Sequence, residues 1–372
     1  MKIAFLISST GWGGLELNTA KLAKLLTDKG YSVTLISQEK SPIFLKAKNL
    51  FASTILINKR RKYFDVKTAK FLSNALKNED IKTVIVFDNK DLDVIAWAKK
   101  IFFKNLQIVY QQQMQIGINK KDVLHTFRYH AINYWISPLQ YLKNEVAQRT
   151  NFPINRVKII PLCVDVKKFV PPKYSKDEAL KALQIFPKAP LVGIIGRVSE
   201  KKGQLFLVEA LLQLKQKGVA LEVLIFGSAT INDPESEKYY HRICEFVKQN
   251  KLENEVHFVP HQDDVNVFYN AVDVFVLASH SETFGMVTVE AMLSQLPIIA
   301  TKSGGTSEIL GNGKFGLLYA YENKNEFCEK LIWLLNNKNE MEKIAEAAQK
   351  NAIENYAQEM EVDAIDALIK SF

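Results

Sequence analysis

The sequence predicts an α/β chain in which a doubly wound parallel sheet is built twice. Short uncharged apolar runs alternate with segments of helical period, the pattern of parallel strands buried on both faces and of their crossover helices. A glycine-rich turn follows the first run (TGWGGLE, 10–16), and a second opens near the midpoint (GRVSEKKG, 196–203), so the pattern starts afresh there. The 372 residues exceed the roughly 100–200 of one ordinary domain.

In the first half, Lys2 to Ser8 reads as a central strand, with a helix from Leu17 to Leu26 stopped by Gly30 and a strand from Tyr31 to Ser37. A dinucleotide fingerprint is only partial here. Gly11 and Gly13 fit G-x-G, but Glu16 stands where close helix–strand packing wants Gly or Ala, which disfavours a nicotinamide oxidoreductase. The basic cluster NKRRKY (58–63) precedes a helix from Val66 to Lys77 and a strand from Thr83 to Phe87. Asp91 and Asp93 then form an Asp-x-Asp, read here as ordinary acidic helix caps and not as a metal site. The segment WAKKIFF (97–103) mixes lysine with aromatics and suits either a membrane surface or an amphipathic helix end. Strands follow at Gln107–Tyr110, leading into Gln111, Gln112 and Gln113, and at Asn133–Ser137. His125 and His130 on the intervening helix read as structural or surface residues. A helix near Leu139 to Gln148 leads to a strand at Val157–Leu162. Pro171, Pro172 and the lysine-rich stretch 173–181 fit a domain boundary.

The second half repeats the plan. Strands are expected at Leu191–Ile195, Glu222–Phe226, Val256–Val259 and Val272–Leu277, with a helix from Gln204 to Leu214. Gly196 and Gly203 bracket Arg197 and Lys202, a planar fork and a point charge that together suit phosphate. Gly227 and Ser228 close another strand at the ligand edge.

The densest stretch is ASHSETFGMVTVEAMLSQLPIIATKSGGTSEIL (278–310), which reads as loop, helix, strand and loop. Gly285 starts the helix, so Glu282 reaches from the loop and Glu290 lies about a turn into the helix. The unpaired amides of Phe284, Gly285, Met286 and Val287 then make an anion site suited to phosphate. A carboxylate repels phosphate, so Glu282 and Glu290 are expected to accept hydroxyl protons from sugars. The combination calls for a sugar joined to a phosphate.

This stretch resembles the Glu-x7-Glu signature of the retaining glycosyltransferases of family 4. The resemblance spans nearly the whole chain and is strongest from 191 to 318. It implies the GT-B fold, two Rossmann-like domains facing across a cleft. The corresponding division is 1–168 for the acceptor side, 169–355 for the nucleotide sugar, and 356–372 as a helix returning to the first domain. It further implies that Arg197 and Lys202 clasp the donor diphosphate, that Glu282 holds the donor sugar and Glu290 the ribose, and that the segment around His261 reads the base. The Gly13-Gly14 turn with Glu16 is similar to the family loop approaching donor phosphate and acceptor. Departures are Cys163 and Pro260 where glycine is usual, and glutamine at 111–113 where many members carry a sugar-facing histidine. The function implied is metal-independent, retaining transfer of a hexose from a UDP- or GDP-linked sugar to a glycan or lipid-linked acceptor. An epimerase of the same architecture and a non-catalytic sugar-nucleotide or glycan binder are the alternatives.

Composition narrows the setting. Cys163, Cys244 and Cys328 are scattered, which argues against a zinc knuckle or disulfide framework and for a reducing cytoplasm. No apolar run reaches the roughly 18 residues of a membrane span. Residues 1–170 hold 28 Lys and Arg against 12 Asp and Glu, whereas the remainder holds 21 against 28. That asymmetry fits an anionic partner for the first half. Peripheral contact with the inner face of an anionic membrane is expected, through Arg60, Arg61, Lys62, Lys99, Lys100 and Lys104 with Phe102 and Phe103, and nucleic acid is not.

Overall fold

The computed structural model describes residues 1–58, 64–230 and 233–372. They divide into two compact units, Met1–Leu162 with Glu359–Phe372, and Cys163–Gln358.

The first unit is built on a seven-stranded parallel sheet. Its strands are β1 (Lys2–Leu6), β2 (Ser32–Ser37), β3 (Ser53–Leu56), β4 (Thr83–Val86), β5 (Gln107–Gln111), β6 (Tyr134–Ser137) and β7 (Val157–Ile159), in the order β3-β2-β1-β4-β5-β6-β7. β1 and β4 are buried almost throughout because helices cover both faces, which is why their sequences are apolar runs without alternation. Register follows from that burial: Lys2 pairs with Ser32 and Leu6 with Ile36. The order reverses between β1 and β4, so the loops after these two strands flank the switch point where open sheets bind ligands. The C-terminal helix Gln358–Lys370 buries Val362, Ile365, Leu368 and Ile369 in the same core as Ile3, Phe5 and Val33.

The second unit carries a six-stranded parallel sheet of β8 (Leu191–Ile195), β9 (Glu222–Phe226), β10 (Val256–Val259), β11 (Val274–Leu277), β12 (Ile298–Thr301) and β13 (Leu317–Tyr319), ordered β10-β9-β8-β11-β12-β13. Here the switch point lies between β8 and β11. The helices Gln204–Gln216, Pro234–Gln249 and Lys324–Asn336 bury Leu207, Ile243 and Leu331 in one core on one face.

The predicted elements recur within a residue or two at most ends; the strand expected over Val157–Leu162 stops at Ile159, and two other stretches differ. The first helix begins at Gly14, three residues before the expected Leu17, because Glu16 at its third position accepts from the Gly13 amide at 2.7 Å and so caps the helix start. Within the stretch 173–181, expected as a boundary, begins the helix Lys176–Leu183. Ser175 and Glu178 cap it reciprocally, a signal stronger than the local lysine content.

Candidate functional site at the carboxyl edge of the second sheet

The loops after β8 and β11 leave the sheet on either side of its switch point, and that is where the singled-out charges meet. Lys202 ends the turn Glu200–Lys202, and its Nζ lies 2.6 Å from Glu282 Oε1. Ser279 Oγ donates to the same oxygen at 2.7 Å. Both charged side chains are largely withdrawn from water, Glu282 at 14% exposure and Lys202 at 28%. The loops are also joined through backbone, His280 N donating to Lys201 O at 2.9 Å.

Glu282 is held from below as well. Its carbonyl accepts from Gly305 N at 2.9 Å. A Cβ on Gly304 would sit 2.2 Å from that carbonyl, so Gly304 is glycine for close approach. The helix Met286–Leu293 starts at Gly285, whose φ of 92° is left-handed. Thr288 N bonds Gly285 O at 2.9 Å, while the amides of Phe284, Gly285, Met286 and Val287 donate to no described residue. Four free donors at the positive end of a helix, beside the Lys202 ammonium, can hold an anion.

Glu290 lies about one turn into that helix, as expected from Gly285. Tyr269, fully buried on the helix Asn266–Ala271, donates to Glu290 Oε2 at 2.7 Å. Burial, and behind it the Glu290 charge and hydrogen bond, push the Tyr269 hydroxyl well above its ordinary pKa, so it stays a donor. Tyr269 was not among the residues read from the sequence, because the short helix that carries it shows no periodic pattern.

Gly227 and Ser228 after β9 adjoin His261 after β10, since the two strands are neighbours. Gly227 N donates to Val259 O at 2.8 Å, and Ser228 Oγ accepts from His261 N at 3.1 Å. The His261 side chain is exposed. Arg197 is exposed too; its carbonyl accepts from buried Gln204, and its guanidinium bonds no described residue. The second sheet thus gathers Arg197, Lys202, Gly227, His261, Glu282, the amides at 284–287 and Glu290 along one edge.

The first unit has its own edge. Gly13 and Gly14 follow β1, and buried Glu16 caps its own helix, accepting from Gly13 N and from Ser9 Oγ. The Asp-x-Asp departs from the cap reading. Asp91 is fully buried and accepts from Ser8 N at 2.8 Å and from Ser8 Oγ, joining the loops after β1 and β4 across the switch point. Asp93 pairs with Arg128 at 3.2 Å. Only Asp88 caps, accepting from Lys90 N at 2.9 Å. Among the described residues no group of three His, Cys, Asp or Glu is placed to hold a metal. The glutamines at the end of β5 are tied into the unit: Gln111 donates to Glu361 at 3.0 Å, Gln112 accepts from Trp135 at 3.0 Å, and Gln113 accepts from Asn18 at 3.2 Å.

The expected basic docking face is partly internal. Lys99 donates to Ala131 O and Asn133 Oδ1, and Lys100 lies 4.3 Å over the Phe127 ring. Phe102 and Phe103 pack against the core, whereas Phe64, Phe71 and Ile101 are exposed. Arg60, Arg61 and Lys62 lie outside the described residues. No described helix is long and apolar enough to cross a membrane.

Residues 175–351 match the family Glycosyl transferases group 1. A lipopolysaccharide core biosynthesis mannosyltransferase, LpsB of Rhizobium meliloti, is 28% identical over 56% of this chain and 59% of its own length. Two solved structures cover 100% of the chain: a glycosyltransferase from Rickettsia africae (TM-score 0.88, 20% identical, 98% of that chain) and Anabaena HepE in complex with UDP (0.85, 21%, 100%). The fold is GT-B.

Proposed function

We propose that the chain is a retaining hexosyltransferase that moves a sugar from a UDP- or GDP-linked donor to a glycan or lipid-linked acceptor hydroxyl. One observation carries this reading: the Lys202–Glu282 pair and four free amides meet at the switch point of a sheet whose unit matches Glycosyl transferases group 1. Arg197, Lys202 and the amides at 284–287 neutralise the departing diphosphate. The anomeric C–O bond to the diphosphate breaks as the acceptor oxygen attacks from the same side, and a diphosphate oxygen takes the acceptor proton. Diphosphate competes with Glu282 for Lys202, which frees the Glu282 carboxylate to hold the donor-sugar hydroxyls. Glu290, oriented by Tyr269, takes the ribose, and Gly227, Ser228 and His261 take the base. UDP in the HepE complex supports such a donor, and the name of LpsB supports a place in cell-surface polysaccharide, lipopolysaccharide or glycolipid synthesis.

Acceptor recognition is assigned to the first unit, around Gly13, Gly14 and Glu16. The reading places the enzyme in the cytoplasm, in peripheral contact with an anionic membrane. On this reading no metal is needed, because Arg197, Lys202 and the amides at 284–287 supply the positive charge that the departing diphosphate requires.

The test is turnover of labelled UDP- and GDP-sugars with and without alkyl glycoside acceptors. Transfer is expected, undiminished by EDTA and reduced far more by Glu282→Gln than nucleotide binding is. Epimerised donor without acceptor, or nucleotide binding without any turnover or hydrolysis, favours the alternatives instead. Co-sedimentation with anionic vesicles that ignores lipid charge and salt removes the membrane part of the proposal.

A further inference from the structure

A second pocket opens on the helical face of the second unit, against the same two loops but away from Lys202 and Glu282. Gly203, Phe206, Tyr239, Ala278, Tyr319 and Tyr321 enclose a cavity of about 250 Å³, and Lys202 is not among its lining residues. Its walls are fixed from behind. A Cβ on Gly203 would meet Ala278 O at 2.4 Å, and the rings of His280 and Tyr321 meet edge to face at 4.9 Å.

The lining combines ring faces with spare hydrogen-bonding capacity. Phe206 and Tyr319 stack nearly parallel, at 11° and 5.6 Å between centroids. Tyr319 is 1% exposed, yet its hydroxyl bonds no described residue. A buried hydroxyl without a partner costs stability unless something else satisfies it. Tyr239 Oη accepts from Leu205 N at 3.0 Å, which leaves its proton to donate. At the rim, opposite charges are paired: Lys324 with Glu209 at 2.7 Å and Arg242 with Glu200 at 3.4 Å.

Paired rim charges disfavour phosphate or any other anion, which needs surplus positive charge. Aromatic faces with tyrosine hydroxyls and carboxylates at the margin suit a ring that is apolar on its faces and hydroxylated on its edge. The volume falls below the roughly 300–1,000 Å³ of drug-sized sites, enough for one ring with further units outside. We propose that this pocket is a second carbohydrate site, which takes a single neutral hexose unit apart from the donor edge.

The experiment is saturation-transfer NMR with the methyl α-glycosides of glucose, mannose and galactose at millimolar concentration. Wild type, Glu282→Gln, Tyr321→Ala and Tyr319→Phe are compared, each with a thermal melt. Transfer to at least one glycoside is expected in wild type and unchanged in Glu282→Gln. Its Kd should rise about tenfold or more in Tyr321→Ala, whose side chain is partly exposed, so the fold is preserved. Tyr319→Phe should weaken binding several-fold without lowering Tm, since no protein hydrogen bond is removed. Absence of transfer with all three glycosides, or a Kd indifferent to both tyrosine variants, overturns the proposal. So does a signal lost in Glu282→Gln and kept in Tyr321→Ala, because the sugar is then at the donor edge. A failure of the transferase reading appears separately, as absence of turnover, and leaves this binding test intact.

Discussion

Lys99 shows how far the role of one charge depends on its surroundings. In the sequence it is one of several lysines beside aromatics; in the fold its ammonium is partly buried and donates to Ala131 O at 2.9 Å and Asn133 Oδ1 at 2.5 Å. Burial, followed by repulsion from Arg156 and Lys100, lowers its pKa to about 8. An unfolded lysine titrates near about 10.4, so between these values the unfolded chain binds the proton more tightly. The charged form is a penalty on the fold, present in full below the folded pKa and relieved as pH rises through the window. The unfolding free energy of wild type relative to Lys99→Met should therefore rise between about pH 7 and about pH 10. Urea denaturation at both ends checks this, and a flat difference refutes it.

Glycines at the sheet edges divide by what surrounds them. Gly227, with φ 153°, leaves no room: a Cβ there would lie 1.9 Å from Gly196 O, a backbone atom that cannot swing away. Gly227→Ala should cost more than about 2–3 kcal/mol, since it combines backbone strain with a backbone clash at the carboxyl edge of the sheet. Gly14 has nothing within 4 Å of its would-be Cβ and opens the helix Gly14–Asp28. Gly14→Ala should leave the fold intact or stabilise it by about 0.5–1 kcal/mol. Because stability is spared, a loss of transfer in Gly14→Ala reports close approach of substrate to that turn. Thermal melts and transfer rates on the two variants separate these outcomes.

For the molecule as a whole, the two units have separate cores, and the last helix belongs to the first. Ending the chain at Gln358 removes Val362, Ile365, Leu368 and Ile369 from a core they share with β1 and β2. Each buried aliphatic side chain contributes about 1.5–3 kcal/mol, so four together approach the roughly 5–15 kcal/mol that stabilise a domain. The truncated chain should lose protection of the first unit while Cys163–Gln358 stays folded. Limited proteolysis read by mass spectrometry checks this; equal protection of both units refutes it.

Strand and helix identity was legible because it is written in local pattern. Apolar runs marked β8 through β11, Gly285 marked the start of a helix, and the spacing of Glu282 and Glu290 placed one on a loop and one about a turn into the helix. The same local information misjudged Asp91, where a partner across the switch point outweighs composition. Other features join residues far apart in the chain, and one-dimensional spacing carries no trace of them. Lys202 meets Glu282 across 80 residues and Tyr269 meets Glu290 across 21, while the Tyr319 hydroxyl is left without a partner beside a pocket. The sequence by itself determined the parallel sheets and the residue types at their carboxyl edges, since hydrophobic period and glycine placement act locally. Strand order decided the rest: by setting β8 beside β11 it brought the two loops together, and packing then settled which charges are paired, buried or free.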